Sequence, residues 1–226
     1  SSQTEQDTRH FSRFSKLPCF DPSSAQEAYE MIQEAFEYSE KYGTPVFLRP
    51  TTRVCHGYAS IMVKDETEYT HHQPEGFIKD SKRWVIFPRL SFMNHKKIEA
   101  RNQELSDIFS SYEKNTIHPS CDAFKDSKQG IATGGISYTY TMETLKKTGM
   151  VKTLKIATPH PFPEKLAVDF LSGLDEVLCL EELDPVIERE LIYICGKYHL
   201  PTRINGKLSG HTACAGENTR DTITTY

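Results

Sequence analysis

The chain has 226 residues, 37% of them hydrophobic, and a formal net charge of −4. That length suits one large domain or two small ones. The acidic balance and the lack of a basic stripe exclude a general nucleic-acid binder, and no apolar run approaches a membrane span. The first residues are polar and acidic, unlike a secretory signal. There is no initiator Met, and Ser1 to Arg9 reads as the middle of a loop, so a piece of a longer protein is expected. Six cysteines (Cys19, Cys55, Cys121, Cys179, Cys195, Cys214) are scattered without a C-x-x-C pair. That supports neither a zinc nor an iron–sulfur site and suits a reducing cytoplasm.

Along the chain, Ser24-x-x-Glu27 reads as a capping box opening a helix that runs to about Tyr42. Ala28, Met31, Ile32, Ala35 and Phe36 form its apolar stripe, and Gly43 ends it. Pro45-Val-Phe-Leu reads as a short strand covered on both faces. Arg49-Pro50 breaks it, and Thr51, Thr52, Arg53 and His56 follow as a polar turn at its carboxyl end. Residues 64–82 show no periodicity and read as an exposed connection. Trp84 to Leu90 reads as an extended segment, His95 to about Tyr112 as a helix on Ile98, Leu105 and Phe109, and Asn115 to Asp126 as loop.

From Ser127 onward the pattern alternates strand and helix. A strand leads into Gly130-Ile-Ala-Thr-Gly-Gly. A helix on Tyr138, Met142 and Leu145 closes at Gly149. A strand carries Leu154 and Ile156. Pro163 opens a helix on Leu166 and Phe170. Val177 to Leu180 reads as a buried strand in which Cys179 is a small hydrophobe. Asp184 is expected to cap a last helix on Ile187, Leu191 and Ile194, with Pro185 behind it. This order implies an α/β fold with a parallel sheet and right-handed crossovers.

Several groups invite a chemical reading. Gly130 to Gly135 is spaced G-x-x-x-G-G rather than G-x-G-x-x-G, and close strand-to-helix packing explains it better than a nicotinamide cofactor. Glu181-Glu182 is a carboxylate pair, but neighbours on a strand point apart, which favours a structural role. Cys195 and His199 lie one helical turn apart without further ligands. His71-His72 and Cys55-His56 are adjacent and do not converge. Gln3, Glu5, Gln6, Asp7 and Arg9 have the composition of a solvated chain end.

Several stretches together resemble one family. They are Ser1-Ser-Gln-Thr-Glu-Gln-Asp-Thr-Arg9, Gln26-Glu-Ala-Tyr-Glu-Met-Ile32, Pro45-Val-Phe-Leu-Arg-Pro-Thr-Thr-Arg-Val-Cys-His56, Glu181-Glu-Leu-Asp-Pro-Val-Ile-Glu188, Gly206-Lys and Gly216-Glu. The chain is similar to the large subunit of indolepyruvate:ferredoxin oxidoreductases, outside about residues 64–80. The resemblance implies a thiamine-diphosphate enzyme that oxidatively decarboxylates aryl pyruvates to acyl-CoA and passes electrons through [4Fe-4S] clusters to ferredoxin. It implies the C-terminal part of a thiamine pyrimidine-binding domain at 1–63, a linker and crossing helix at 64–126, and a transketolase-C-terminal-like domain at 127–226. It further implies a small (beta) subunit as partner in a hetero-oligomer. The activating glutamate, the Mg2+-binding Gly-Asp-Gly motif and the cluster cysteines are missing, so the expectation is a fragment inactive alone. By the same resemblance Arg9 would bind the substrate carboxylate, while Thr52, Arg53 and His56 would tie the strand end to the next domain. The other reading is a non-catalytic α/β module that binds a nucleotide or a partner.

Overall fold

The computed structural model describes residues 5–226 apart from 70, 72 and 75. Gln3 of the opening loop and His72 of the histidine pair lie outside the described residues, and His71 is exposed. Helix α1 (Arg9–Ser15) is followed by strand β1 (Cys19–Phe20). Helix α2 (Ala25–Tyr42) starts where the Ser24 hydroxyl accepts the Glu27 N–H, and Gly43 ends it with φ 56°. Only half of the capping box forms. The Glu27 carboxylate accepts from the N–H and hydroxyl of Ser23 instead of turning to Ser24. The buried line of α2 is Glu27, Met31 and Ala35, whereas Ile32 and Phe36 are exposed.

Strand β2 (Phe47–Leu48) pairs in parallel with β1. It is half-buried rather than covered on both faces, because it belongs to a two-stranded sheet at the margin of the molecule. The expected polar turn after it is a short helix, α3 (Thr52–His56). Helix α4 (Ser81–Trp84) and helix α5 (Pro88–Phe109) replace the expected extended segment. Pro88 sits at the first position of α5, where a missing N–H costs nothing, so the helix starts seven residues before His95. Strand β3 (Thr116–His118) lies where a loop was expected. Its pairing is supplied from elsewhere in the chain, which local pattern does not reveal.

The next elements follow the expected alternation: β4 (Gln129–Gly134), α6 (Gly135–Thr148), β5 (Lys152–Ile156), α7 (Glu164–Leu171), β6 (Glu176–Leu180) and α8 (Val186–Tyr198), whereas strand β7 (Arg203–Asn205) and helix α9 (Arg220–Thr225) lie beyond the last helix that the sequence pattern shows. The sheet order is β3-β5-β4-β6-β7, parallel except for β3 against β5. Ala132, Leu154, Val177 and Cys179 face α7 and α8 in the main core, with Phe170, Ile187 and Leu191. Ile131, Leu178 and Leu180 face the α6 and α9 side, as the period of two requires. There they line a cavity of about 440 Å3.

A second core joins Phe20, Met31 and Ala35 to Leu105, Phe109 and Ala157. Phe20 meets Phe109 edge-on at 5.6 Å. Residues from all three sequence segments therefore share one packing unit. Its backbone seam is the segment leaving β5. Cys19 N–H donates to His160 O at 2.7 Å and Asp21 N–H to Ala157 O at 2.8 Å. Asn115 fixes that segment by accepting the N–H groups of Ala157 and Thr158.

Close approach explains the glycines of β4. A Cβ on Gly134 would lie 2.6 Å from Ile156 O. Backbone cannot yield as a side chain does, so Gly134→Ala is expected to destabilise the fold by about 1–3 kcal/mol, read as a lower thermal midpoint. His160 supplies a pH test. Burial, with Arg13, Lys16 and Arg101 nearby, pulls its pKa from 6.5 down to about 4. The unfolded chain therefore takes up the proton first. The stability due to neutral His160 is complete above pH 6.5 and is lost as pH falls towards 4. His160→Gln is expected to flatten urea-measured stability across that window.

Candidate functional site

Adjacent strands β4 and β6 send their following helices to opposite faces of the sheet. This is a switch point, and the crevice beyond the strand ends is where open α/β sheets hold ligands. Here side chains of the N-terminal segment fill it. Arg9 is 3% exposed and Asp7 7%. Arg9 Nη1 donates to Glu181 Oε2 at 2.8 Å, and Nη2 to Asp7 Oδ2 at 2.6 Å. Nε donates to both Asp7 oxygens at 3.0 Å. Nη2 also reaches the carbonyls of Glu182 at 2.8 Å and Asp184 at 2.9 Å. A substrate carboxylate could reach this guanidinium only by displacing one of these partners.

Glu181 caps α8. Its carboxylate accepts the N–H groups of Val186 and Ile187 on Oε2 and of Glu188 on Oε1, at 3.1, 3.0 and 3.0 Å. Burial pushes its pKa up, with Arg9 and these N–H groups opposing. Four donors on two oxygens require the ionised form, and the helix dipole favours it. Asp184, the expected cap, instead pairs with His10 at 2.9 Å. The backbone turns at Leu183, φ 60°, so the paired glutamates diverge as expected. Glu182 Oε1 accepts Asn218 N–H at 2.9 Å, and Asn218 Nδ2 donates to Ser137 Oγ. Burial raises the Glu182 pKa.

A carboxylate also lies close to the start of α6. Gly135 has φ 53°, and a Cβ there would lie 3.2 Å from Asp21 Oδ1 and 3.0 Å from Thr51 Cγ2. The place where a phosphate would sit in a nucleotide-binding loop is thus taken by a carboxylate of the chain. Arg49 lies between the carboxylates, 3.3 Å from Asp21 and 3.7 Å from Asp7. Burial raises the Asp21 pKa against the charges of Arg49 and Arg9. Burial also works against ionised Asp7, but hydrogen bonding and charge from Arg9, with Arg49, hold its pKa below the usual range.

The other anticipated residues lie at the rim. Arg53 pairs with Glu217 in the segment after β7. Thr52 opens α3, and His56 at its end is exposed. Cys55 is exposed, its Sγ 3.9 Å from Pro50 O. Asp21, Arg49 and the capping role of Glu181 were not anticipated. All six cysteines are free, and among the described residues no group of three His, Cys, Asp or Glu side chains can hold a metal ion. The scattered cysteines do not fit the four-thiolate ligand set of a [4Fe-4S] cluster among the described residues.

Arg9 and Glu181 form a buried pair, so removing one partner strands the other's charge. Arg9→Ala or Glu181→Ala is expected to cost about 3–5 kcal/mol in urea unfolding, and the double variant less than the sum.

No family model matches the chain. It is 38% identical over 212 residues to the indolepyruvate oxidoreductase subunit IorA of Methanothermobacter thermautotrophicus, covering 93% of this chain and 33% of that protein. It is 36% identical to IorA of Pyrococcus abyssi, covering 92% of this chain and 32% of that protein. A 2-oxoglutarate:ferredoxin oxidoreductase from Magnetococcus marinus, solved with 2-oxoglutarate, coenzyme A and succinyl-CoA bound, matches with a TM-score of 0.55. That match covers 92% of this chain and 41% of the other at 15% identity, a likeness of fold. The mixed α/β architecture, with a five-stranded sheet parallel except at β3, agrees with the α/β fold expected from the sequence. The chain spans about a third of the length of its curated relatives and is similar over that third to the indolepyruvate oxidoreductase subunit IorA.

Proposed function

We propose that this chain is the scaffolding third of the large subunit of a thiamine-diphosphate-dependent indolepyruvate:ferredoxin oxidoreductase. In this reading residues 1–63 end the pyrimidine-binding domain, 64–126 link and cross, and 127–226 form the transketolase-C-terminal-like domain. The parent enzyme decarboxylates aryl pyruvates, passes the electrons to ferredoxin and transfers the acyl group to CoA. Thiamine diphosphate supplies the carbanion stabilisation when bound. It, Mg2+ and the [4Fe-4S] clusters are held by parts of the assembly outside this chain, which works with a small subunit.

The observation that carries this reading is the sequence identity of 36–38% to IorA subunits along more than nine-tenths of the chain. The buried network of Asp7, Arg9, Glu181 and Arg49 supports the scaffolding role. It fastens the N-terminal segment across the strand ends and holds those elements in fixed register. Arg9 in this reading is a positioning residue rather than the one that grips the substrate carboxylate.

Two measurements test the proposal. The 226-residue chain alone is expected to show no dye-linked oxidation of indolepyruvate, and turnover would refute the division of labour. In the intact enzyme, Arg9→Ala is expected to lower the thermal midpoint together with kcat, with Arg9→Lys restoring part of both. A tenfold rise in KM alone, at unchanged midpoint, would assign Arg9 to the substrate instead.

A further inference from the structure

A groove of about 1020 Å3 runs between the C-terminal end of α2, the segment around α4 and one face of α5. Its walls carry five cations, Lys41, Lys82, Arg83, Lys97 and Arg101, against two acids, Asp80 and Glu104. Among the described residues none of the five is ion-paired. Lys16, Lys114, Lys155 and Lys165, by contrast, each have a carboxylate. Asp80 is engaged in capping, accepting Lys82 N–H at 2.9 Å. Lys41 lies 5.0 Å over the Tyr42 ring and Arg83 4.6 Å over Trp84, contacts that leave their charges unneutralised.

The deeper cation is Arg101. Its Nη2 donates to Lys16 O at 2.9 Å, while its Nε is buried without a partner. The Tyr42 hydroxyl, from the opposite wall, is buried and unpartnered as well. Unmet donors of this kind are costly, and more so on a charged group. An anion with several acceptor oxygens offsets the surplus charge of the groove. Five cations less two acids leave a net +3. One phosphate carries about −1.5 to −2 near neutral pH, so two are needed to balance it.

We infer that this groove binds a small molecule bearing a diphosphate group, with Lys97 and Arg101 of α5 donating to its oxygens. The inference stands on the groove itself, and holds whether or not the reading of the parent enzyme does.

Titration calorimetry of the 226-residue chain with inorganic diphosphate and with ADP tests it. Saturable one-to-one binding that weakens with added salt is expected. The Lys97→Gln/Arg101→Gln variant is expected to bind at least about tenfold more weakly. Lys146→Gln, on the exposed side of α6, serves as the control and is expected to leave binding unchanged. Should Arg101→Gln impair folding, Lys41→Gln/Lys97→Gln removes two exposed cations and is expected to weaken binding in the same direction. Absence of saturable binding, equal binding by the variants, or binding of an acidic peptide where diphosphate fails would each overturn the assignment.

Discussion

One guanidinium organises the strand ends. Arg9 is buried, and a charge removed from water is tolerated only with its hydrogen-bonding capacity met by partners of opposite charge. Asp7 and Glu181 supply the charge, while the carbonyls of Glu182 and Asp184 complete the shell. The turn at Leu183 is what brings those carbonyls inward, so its left-handed backbone and the guanidinium hold each other in place. Glu181 then transmits the constraint to α8, whose first three N–H groups it accepts. The N-terminal segment, the end of β6 and the start of α8 thus behave as one electrostatic unit.

This unit occupies the place where a doubly wound sheet usually receives a ligand. Helix N-termini attract anions, and at α8 the chain provides its own in Glu181, while Asp21 lies beside Gly135 at the start of α6. Binding capacity is exchanged for a fixed angle between the small β1–β2 sheet and the main sheet. A second tie works in the same sense further along β5, where Lys155 pairs with Glu27 at the start of α2 and lies over the Tyr138 ring.

The elements from β4 to α8 were legible because each carries its own punctuation: Gly134 and Gly135 between β4 and α6, Gly149 after α6, Pro163 and Pro185 before α7 and α8. The glycines of β4 were rightly taken as packing glycines. The aromatic run Trp84 to Phe87 hid the start of α5, since its residues suit a strand as well as a helix end. Thr116–His118 is too short to signal a strand, and it becomes one only by pairing with Thr153–Lys155. The site was harder to read. Asp7 and Arg9 stand in a polar stretch whose composition matches a solvated terminus, and the partner that buries them is 172 residues away. Glu181 could be read as structural from strand geometry alone, but its role as a helix cap depends on the turn at Leu183.

The separation between Arg9 and Glu181 has a consequence for biosynthesis. At translation rates of about 5–20 residues per second, 172 residues take roughly 10–30 s to appear. Throughout that interval Asp7 and Arg9 stay hydrated, and for about half of it the face of Phe20 that later meets Phe109 waits for α5. The junction is therefore a late event, formed between pieces that have already acquired local structure. Its charged groups keep the waiting surface soluble until the helix that completes it has emerged.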